Sequence, residues 1–113
     1  MIELSKTNKR IAREIIEKGL QKEFESGLQE AEKIILDKNI KGQSPQETYH
    51  ELLKNVIDFN KHIARRYDNM KGSNYVLIIA CQLLDGYITD EEIQPLADEV
   101  KQCILQYVGL RQK

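Results

Sequence analysis

The stretch SNYVLIIACQLLDG, Ser73 to Gly86, is the most apolar segment of the chain. From Asn74 to Asp85, only these two residues and Gln82 are plainly polar. A helix without a polar stripe must be enclosed on nearly all sides. Its β-branched residues would also suit a strand, but no other segment offers an alternating partner, and a lone strand leaves its backbone groups unpaired. We therefore predict a buried helix that begins at Ser73 or Asn74 and ends at Asp85-Gly86.

The segment before residue 40 predicts one long helix. Its apolar residues recur at spacings of three and four, which is typical of a helix face, and Thr7 or Asn8 can cap its start. We expect this helix to end near Lys38. Gly19 and Gly27 either permit the close approach of another helix, or Ser26-Gly27 bends the rod.

The motif Ser44-Pro45-Gln46-Glu47 predicts the start of a second helix. Serine can cap the N-terminus of a helix, and proline suits the first helical position. The glutamate at the third position can accept a hydrogen bond from the backbone N–H of the serine. Tyr49, Val56, Ile63 and Met70 then follow at intervals of seven. This heptad pattern is expected to close at Asn69 to Gly72, with Gly72 in the left-handed conformation. Asn60 lies on or beside the heptad seam, where it either sets the register or simply faces outward while Phe59 packs.

A fourth helix is expected to begin with Thr89 as its cap, supported by Glu92 three positions later. Pro95 lies six positions in, so it should kink the helix or split a first turn from the rest. Gly109 is expected to end the helix.

Together these segments predict a single all-α domain over residues 1–113: a four-helix bundle with a long N-terminal helical hairpin and a buried third helix. At 1.5 Å per residue the first two helices would measure about 45 and about 37 Å, against about 18 Å for the third. The shorter pair cannot cover the long hairpin along its whole length. The overhanging apolar residues therefore predict a homo-oligomer, since a second copy is the simplest cover.

Composition excludes several function classes. Seventeen basic and 18 acidic residues leave a net charge of −1, so no strong overall attraction to nucleic acid or anionic membrane is expected. No run is long enough for a membrane span. The N-terminus forms no apolar core typical of a signal peptide. Cys81 and Cys103 read as small apolar residues in a reducing compartment. We predict a cytoplasmic protein without membrane contact.

One eight-residue stretch, Asp85 to Glu92, resembles the second half of an EF-hand calcium loop. It offers Asp-Gly at the fifth and sixth places, Ile at the eighth and Glu at the twelfth. The first and third places would fall on Cys81 and Leu83, which lack the required oxygen ligands. We therefore read these letters as a glycine turn followed by a Thr-x-x-Glu cap.

No other pattern predicts a metal, a cofactor or catalysis. His62 follows Asp58 by four residues, and His50 lies near Glu47 and Glu51, but the first helix supplies no histidine. The inward stripes are also expected to carry no carboxylate. Cys81 is the one enclosed nucleophile, and an apolar setting makes a thiol inert. Glycine-rich phosphate loops and the common hydrolase motifs are missing from the sequence. We predict no cofactor, no metal and no enzyme.

A basic patch is the remaining candidate site. The second helix becomes basic toward its C-terminal end, and the first opens with cations that its dipole disfavours. Such residues contact phosphates, and a tyrosine among them can stack on a base. The candidate contacts for nucleic acid or a partner are Arg10, Arg13, Lys61, Arg65, Arg66 and Tyr67.

Our first hypothesis is therefore a non-enzymatic helical module for protein–protein interaction: an adaptor, regulator or inhibitor that self-associates. The alternative is a nucleic-acid-binding regulator that uses the basic face of the second helix. A metal-dependent small bundle enzyme comes third.

Overall fold

A computed structural model describes residues 2–112 of the chain. It has four α-helices and no strand within those residues, which confirms the all-α prediction. Two short 3₁₀ segments, Gly72–Asn74 and Asp90–Ile93, lie between helices. The helices are α1 (Lys6–Leu36), α2 (Pro45–Tyr67), α3 (Tyr75–Leu84) and α4 (Asp98–Gln112).

The chain divides into two compact units, to both of which α1 contributes. The two-helix unit is Glu23–Asp68, formed by the second half of α1 and by α2. The core unit combines the described residues up to Lys22 with those from Asn69 onward.

The hydrophobic core lies in the core unit, where α3 packs against α4. Ile79 and Ala80 of α3 are fully buried, as is Ile104 of α4. The third helix is therefore buried, as expected, but not on all sides. Leu77 and Leu84 stay partly exposed at 37% and 36%, because ten residues of helix turn one stripe away from α4 and the start of α1.

Each glycine of α1 lets another helix approach closely. A methyl group added at Gly19 would collide with the side chain of Gln82 on α3, within the core unit. One added at Gly27 would collide with the Phe59 ring on α2, within the two-helix unit. Close approach, the first of the two predicted roles, is therefore confirmed at both glycines.

Several helix ends differ from those predicted. Ser5 precedes α1 and its Oγ accepts the Asn8 N–H at 3.1 Å, so the cap lies upstream of Thr7. The second helix ends at Tyr67, and Gly72 opens a 3₁₀ segment instead of adopting a left-handed conformation. Positive φ angles occur, among residues 2–112, at Gly42 and Gly86. Gly109 lies inside α4, where nothing crowds it.

Pro95 separates a first turn from the fourth helix. Of the two predicted outcomes, a kinked helix or a separate first turn, the structure shows the second. The 3₁₀ segment Asp90–Ile93 precedes it, and α4 begins only at Asp98. Glu92 Oε1 accepts the Thr89 N–H at 3.0 Å, so the predicted Thr-x-x-Glu pairing caps the short segment instead of α4. Because proline has no N–H to donate, the helical ladder cannot run through it.

Candidate functional site

The predicted basic patch is divided by the structure. Arg10 and Arg13 are exposed on the part of α1 that belongs to the core unit, and Arg10 pairs with Glu14 at 3.4 Å. The other four candidates lie in the two-helix unit. Lys61 and Arg65 are exposed there, whereas Arg66 and Tyr67 turn inward.

The inward pair converges on Glu23, a carboxylate with no exposed surface. Tyr67 Oη donates to Glu23 Oε1 at 2.6 Å, and Arg66 Nη1 donates to Oε2 at 3.2 Å. His62 Nε2 also contacts Glu23 Oε2. The expectation that no carboxylate points inward is therefore wrong. Because α2 supplies a cation and two further polar groups to this carboxylate, the cost of burying its charge is compensated.

The sequence carried a signal for this cluster. Glu23 follows Ile16 by seven residues, so the buried face of α1 passes through a carboxylate. His62 and Arg66 are four residues apart on one side of α2. Both oxygens of Glu23 are bonded, so the cluster acts as a polar clamp that holds α2 against α1.

Between the two helices the apolar packing of this unit is thin. Phe24 and Phe59 meet edge to face with their centroids 5.5 Å apart, and Phe59 rests against Gly27. Within Glu23–Asp68, every residue of which is described, Ile34 is the one buried hydrophobic residue. The other two buried residues, Glu23 and Thr48, are polar. Two helices alone thus leave most of their apolar side chains uncovered.

Most of the uncovered side chains gather on one side of the unit, which we call the apolar face. A groove of about 170 Å³ runs along it. Leu28, at its centre, is 71% exposed. The groove is lined by Phe24, Gly27, Leu28 and Ala31 of α1 and by Asn55, Val56, Phe59 and Asn60 of α2. Tyr49 and Leu53 of α2 and Ile35 of α1 are exposed as well, and helical spacing puts them on the same side.

Charges occupy the opposite side of the same two helices. A wider groove of about 400 Å³ is lined there by Ile34, Asn55 and seven charged residues: Glu30, Lys33, Asp37, Lys41, Glu51, Lys54 and Asp58. Lys41 pairs with Glu51 at 3.0 Å. The hydrogen bond from Gln43, followed by the one from Lys41, holds the pKa of Glu51 below its usual value. The charged side of the two-helix unit is therefore suited to contact with water, and the apolar face is not.

The heptad pattern of α2 belongs to the apolar face. Tyr49 and Val56 are exposed, and Ile63 is half-buried. Asn60 is exposed in the groove. Of its two predicted roles, setting the register or facing outward while Phe59 packs, the single chain shows the second. A heptad seam that remains open within one chain is typical of helices that pack against another molecule.

Two further features of the described residues concern metal binding and membranes. Residues 2–112 contain no group of three or more metal-ligating side chains. Within the same residues, no helix combines the length and apolarity needed to cross a membrane. Comparison with protein-family models, with curated proteins and with solved structures finds no match to this chain.

Proposed function

We propose that this chain is a non-enzymatic protein–protein interaction module that associates with a second copy of itself through the apolar face of the two-helix unit. It would work as an adaptor, regulator or inhibitor. The observation that carries the proposal is the exposed apolar face, which joins Leu28 of α1 to the open heptad seam of α2 at Val56.

Two physical arguments support a partner at this face. Contiguous apolar surface of this kind is rare on monomers and marks interaction sites. The unit also needs the burial, because an isolated pair of helices with one buried hydrophobic residue gains little from packing. A second copy offers the same apolar residues at the same spacing and so forms a closed, self-complementary contact.

Light scattering and sedimentation at tens of micromolar protein test the proposal. The wild-type chain should sediment as a dimer, and Leu28→Glu should convert it to a monomer because the dimer would bury an unpaired charge. Leu110→Glu is the matched control. Leu110 is 68% exposed on α4, close to the 71% of Leu28, but lies in the other unit.

A wild-type chain that stays monomeric throughout this range would refute self-association. Equal loss of the dimer in both variants would refute the assignment to the apolar face. Circular dichroism of each variant checks that the helices remain, which is expected because both leucines are exposed.

A nucleic-acid-binding regulator is the second candidate, since Lys61 and Arg65 remain exposed on α2. It rests on fewer groups than the basic patch offered, because Arg66 and Tyr67 are bonded to Glu23. Retention of DNA or RNA that weakens steeply with salt, and that is lost in Lys61→Ala/Arg65→Ala, would favour it. Salt-independent or absent retention would rule it out.

We also propose a cytoplasmic location. Cys81 and Cys103 are both free thiols and both are partly accessible, which suits a reducing compartment. Recovery of the tagged chain from a host's oxidising compartment would contradict this placement.

A further inference from the structure

The open side of α2 carries two lines of residues, each with a spacing of seven. One line is Tyr49, Val56 and Ile63, and the other is Leu53, Asn60 and Tyr67. Alternate steps of three and four residues lead from one line to the other, which is the pattern of a two-stranded coiled-coil seam. Four of these six residues are exposed in the single chain: Tyr49, Leu53, Val56 and Asn60. The seam is therefore open to a second helix.

Asn60 places an amide within this seam, where it is exposed and lines the groove of the apolar face. A helix that covers the seam must supply a donor and an acceptor for this amide, because burying it without hydrogen bonds opposes association. The α1 side of the groove offers neither, since its side chains are those of Phe24, Leu28 and Ala31. The amide of a second Asn60 offers both.

The amides of two copies meet when the two α2 helices run parallel and in register. In a parallel pair each line of the seam meets the same line of the second helix, so Asn60 lies opposite Asn60. In an antiparallel pair each line meets the other line, so Asn60 lies opposite Tyr49, Val56 or Ile63. One antiparallel register joins Asn60 to the hydroxyl of Tyr49, but it puts Ile63 opposite Gln46, in the first turn of the second α2. Only the parallel pair satisfies the amide and covers the whole seam.

The two helices also differ in how far their apolar stripes extend. On the side of the apolar face, two positions of each helix turn away from the other helix: two residues before and five residues after the Gly27–Phe59 contact. These positions are Ile57 and Ala64 on α2, and Glu25 and Glu32 on α1. Ile57 is 44% exposed in the single chain. The helix with the wider apolar stripe needs more neighbours, which favours α2 for the centre of the dimer and α1 for its edge.

We infer that the dimer forms around a parallel, in-register pair of α2 helices, in which the two Asn60 amides hydrogen-bond to each other across the two-fold axis. Each α1 lies beside this pair, and its apolar residues around Leu28 contact α2 of the second copy. Asn60 thus faces outward in the single chain and sets the register in the dimer. This inference rests on the proposed self-association and adds its geometry.

The size of the face predicts a dimer of modest affinity. The face extends about 20 Å along α2, from Tyr49 to Ile63, and about 20 Å across the two helices. Its accessible area is on the order of 500 Å² per copy, or about 1,000 Å² in total, which is near the lower bound for a specific interface. Replacing one residue of the seam should therefore have a visible effect on the dissociation constant.

Opposite charges at position 60 test the contact between the two amides. In sedimentation at low salt, Asn60→Asp and Asn60→Lys should each weaken the dimer at least about tenfold, because like charges meet at the axis. An equimolar mixture of the two variants should recover the wild-type affinity to within about threefold, because a carboxylate then meets an ammonium group. Gln29→Asp and Gln29→Lys are the matched controls. Gln29 is an exposed amide of α1 that lines neither groove, so these variants should leave the affinity unchanged.

A mixture that associates no better than its two components would overturn the inference. That result is expected if position 60 faces α1 or another part of α2 in the second copy, because the two new charges then lie apart. Wild-type affinity of each variant alone would overturn it as well. These results are obtained against a wild-type dimer, so they differ from a monomeric wild-type chain, which would refute the proposed function itself.

Cross-linking gives a second, independent readout that leaves Asn60 unchanged. Tyr49→Cys and Val56→Cys are made as separate variants, each with Cys81→Ala and Cys103→Ala, and are mildly oxidised. In the inferred dimer both positions meet their own copies, so both variants should form disulfide-linked dimers. In an antiparallel pair at least one of the two positions lies more than about 10 Å from its copy. A disulfide at one position only, or at neither, would contradict the arrangement. Lys54→Cys, on the charged side, is the control and should stay unlinked.

Discussion

At the level of single residues, Glu23 is the most consequential side chain of the two-helix unit. It has no contact with solvent, and its two oxygens are held by groups from α2. Such a carboxylate contributes to stability through its partners. The Arg66 side chain is only 14% exposed, so removing Glu23 would leave a largely buried cation without this counter-charge.

Glu23→Ala should therefore lower the free energy of unfolding by about 2–4 kcal/mol, and Tyr67→Phe by about 1–2 kcal/mol. Urea denaturation followed by circular dichroism measures both. Glu30→Gln, at an exposed carboxylate on the charged side, is the control and should change little. Equal effects of Glu23→Ala and Glu30→Gln would refute the clamp.

Replacing glycine by alanine should have opposite effects on stability at Gly19 and at Gly109. A methyl group at Gly19 meets the amide of Gln82, which is fully buried and donates to the Ile16 carbonyl at 2.9 Å, so it cannot move aside cheaply. Gly19→Ala should lower the thermal midpoint despite the better helix propensity of alanine. Adding Gln82→Ala should remove most of that steric penalty.

Gly109→Ala should instead raise stability by up to about 1 kcal/mol, because Gly109 is helical and nothing lies within 4 Å of the added methyl group. Thermal unfolding of the two alanine variants side by side makes the comparison. A stabilising Gly19→Ala would show that Gln82 yields without cost.

At the level of elements, the start of α2 is the clearest local signal. Glu47 N–H donates to Ser44 Oγ at 3.1 Å, and Ser44 N–H donates to Glu47 Oε1 at 3.1 Å. Ser44→Ala should cost about 1 kcal/mol. A threonine at the same position should keep most of the stability, which separates loss of the cap from general disturbance.

The same cap predicts a pH dependence. The backbone N–H of Ser44, then its hydroxyl, lowers the pKa of Glu47 from its ordinary value of 4.5. A lowered carboxyl pKa in the folded state means that the stabilisation is present above the ordinary value and is lost as the pH falls through the folded pKa. The difference in melting temperature between wild type and Glu47→Gln should therefore shrink from pH 7 to pH 3. A constant difference would contradict it.

At the level of the whole molecule, stability and association should be linked. A contact that forms only between folded chains raises the unfolding midpoint as protein concentration increases. We expect a rise of about 2–4 °C per tenfold increase for the wild-type chain. The midpoint of Leu28→Glu should be independent of concentration. A concentration-independent wild-type midpoint would contradict the linkage.

The local features of this fold can be predicted from the amino-acid sequence. Periodicity placed α1 and α2, a long apolar run without a strand partner marked α3, the cap at Ser44 marked the start of α2, and Pro95 indicated a kink or a break in the fourth helical segment. These features follow from hydrogen bonds and side-chain spacings within a few residues, so they can be read without knowing the packing. The predicted helix end at Gly109 was wrong because a glycine permits a helix to stop but does not force it, whereas α2 ends at Tyr67, before it reaches Gly72.

Which helix faces are covered depends on how the helices pack, and the sequence pattern does not show it. The pattern around Tyr49 and Val56 is the same whether it packs inside one chain or stays open, so the heptad alone could not identify an exposed seam. Likewise, Arg66 and Tyr67 looked like surface groups until Glu23 was seen opposite them. Burial of a charge depends on partners more than 40 residues away in the chain, and no local pattern encodes that distance.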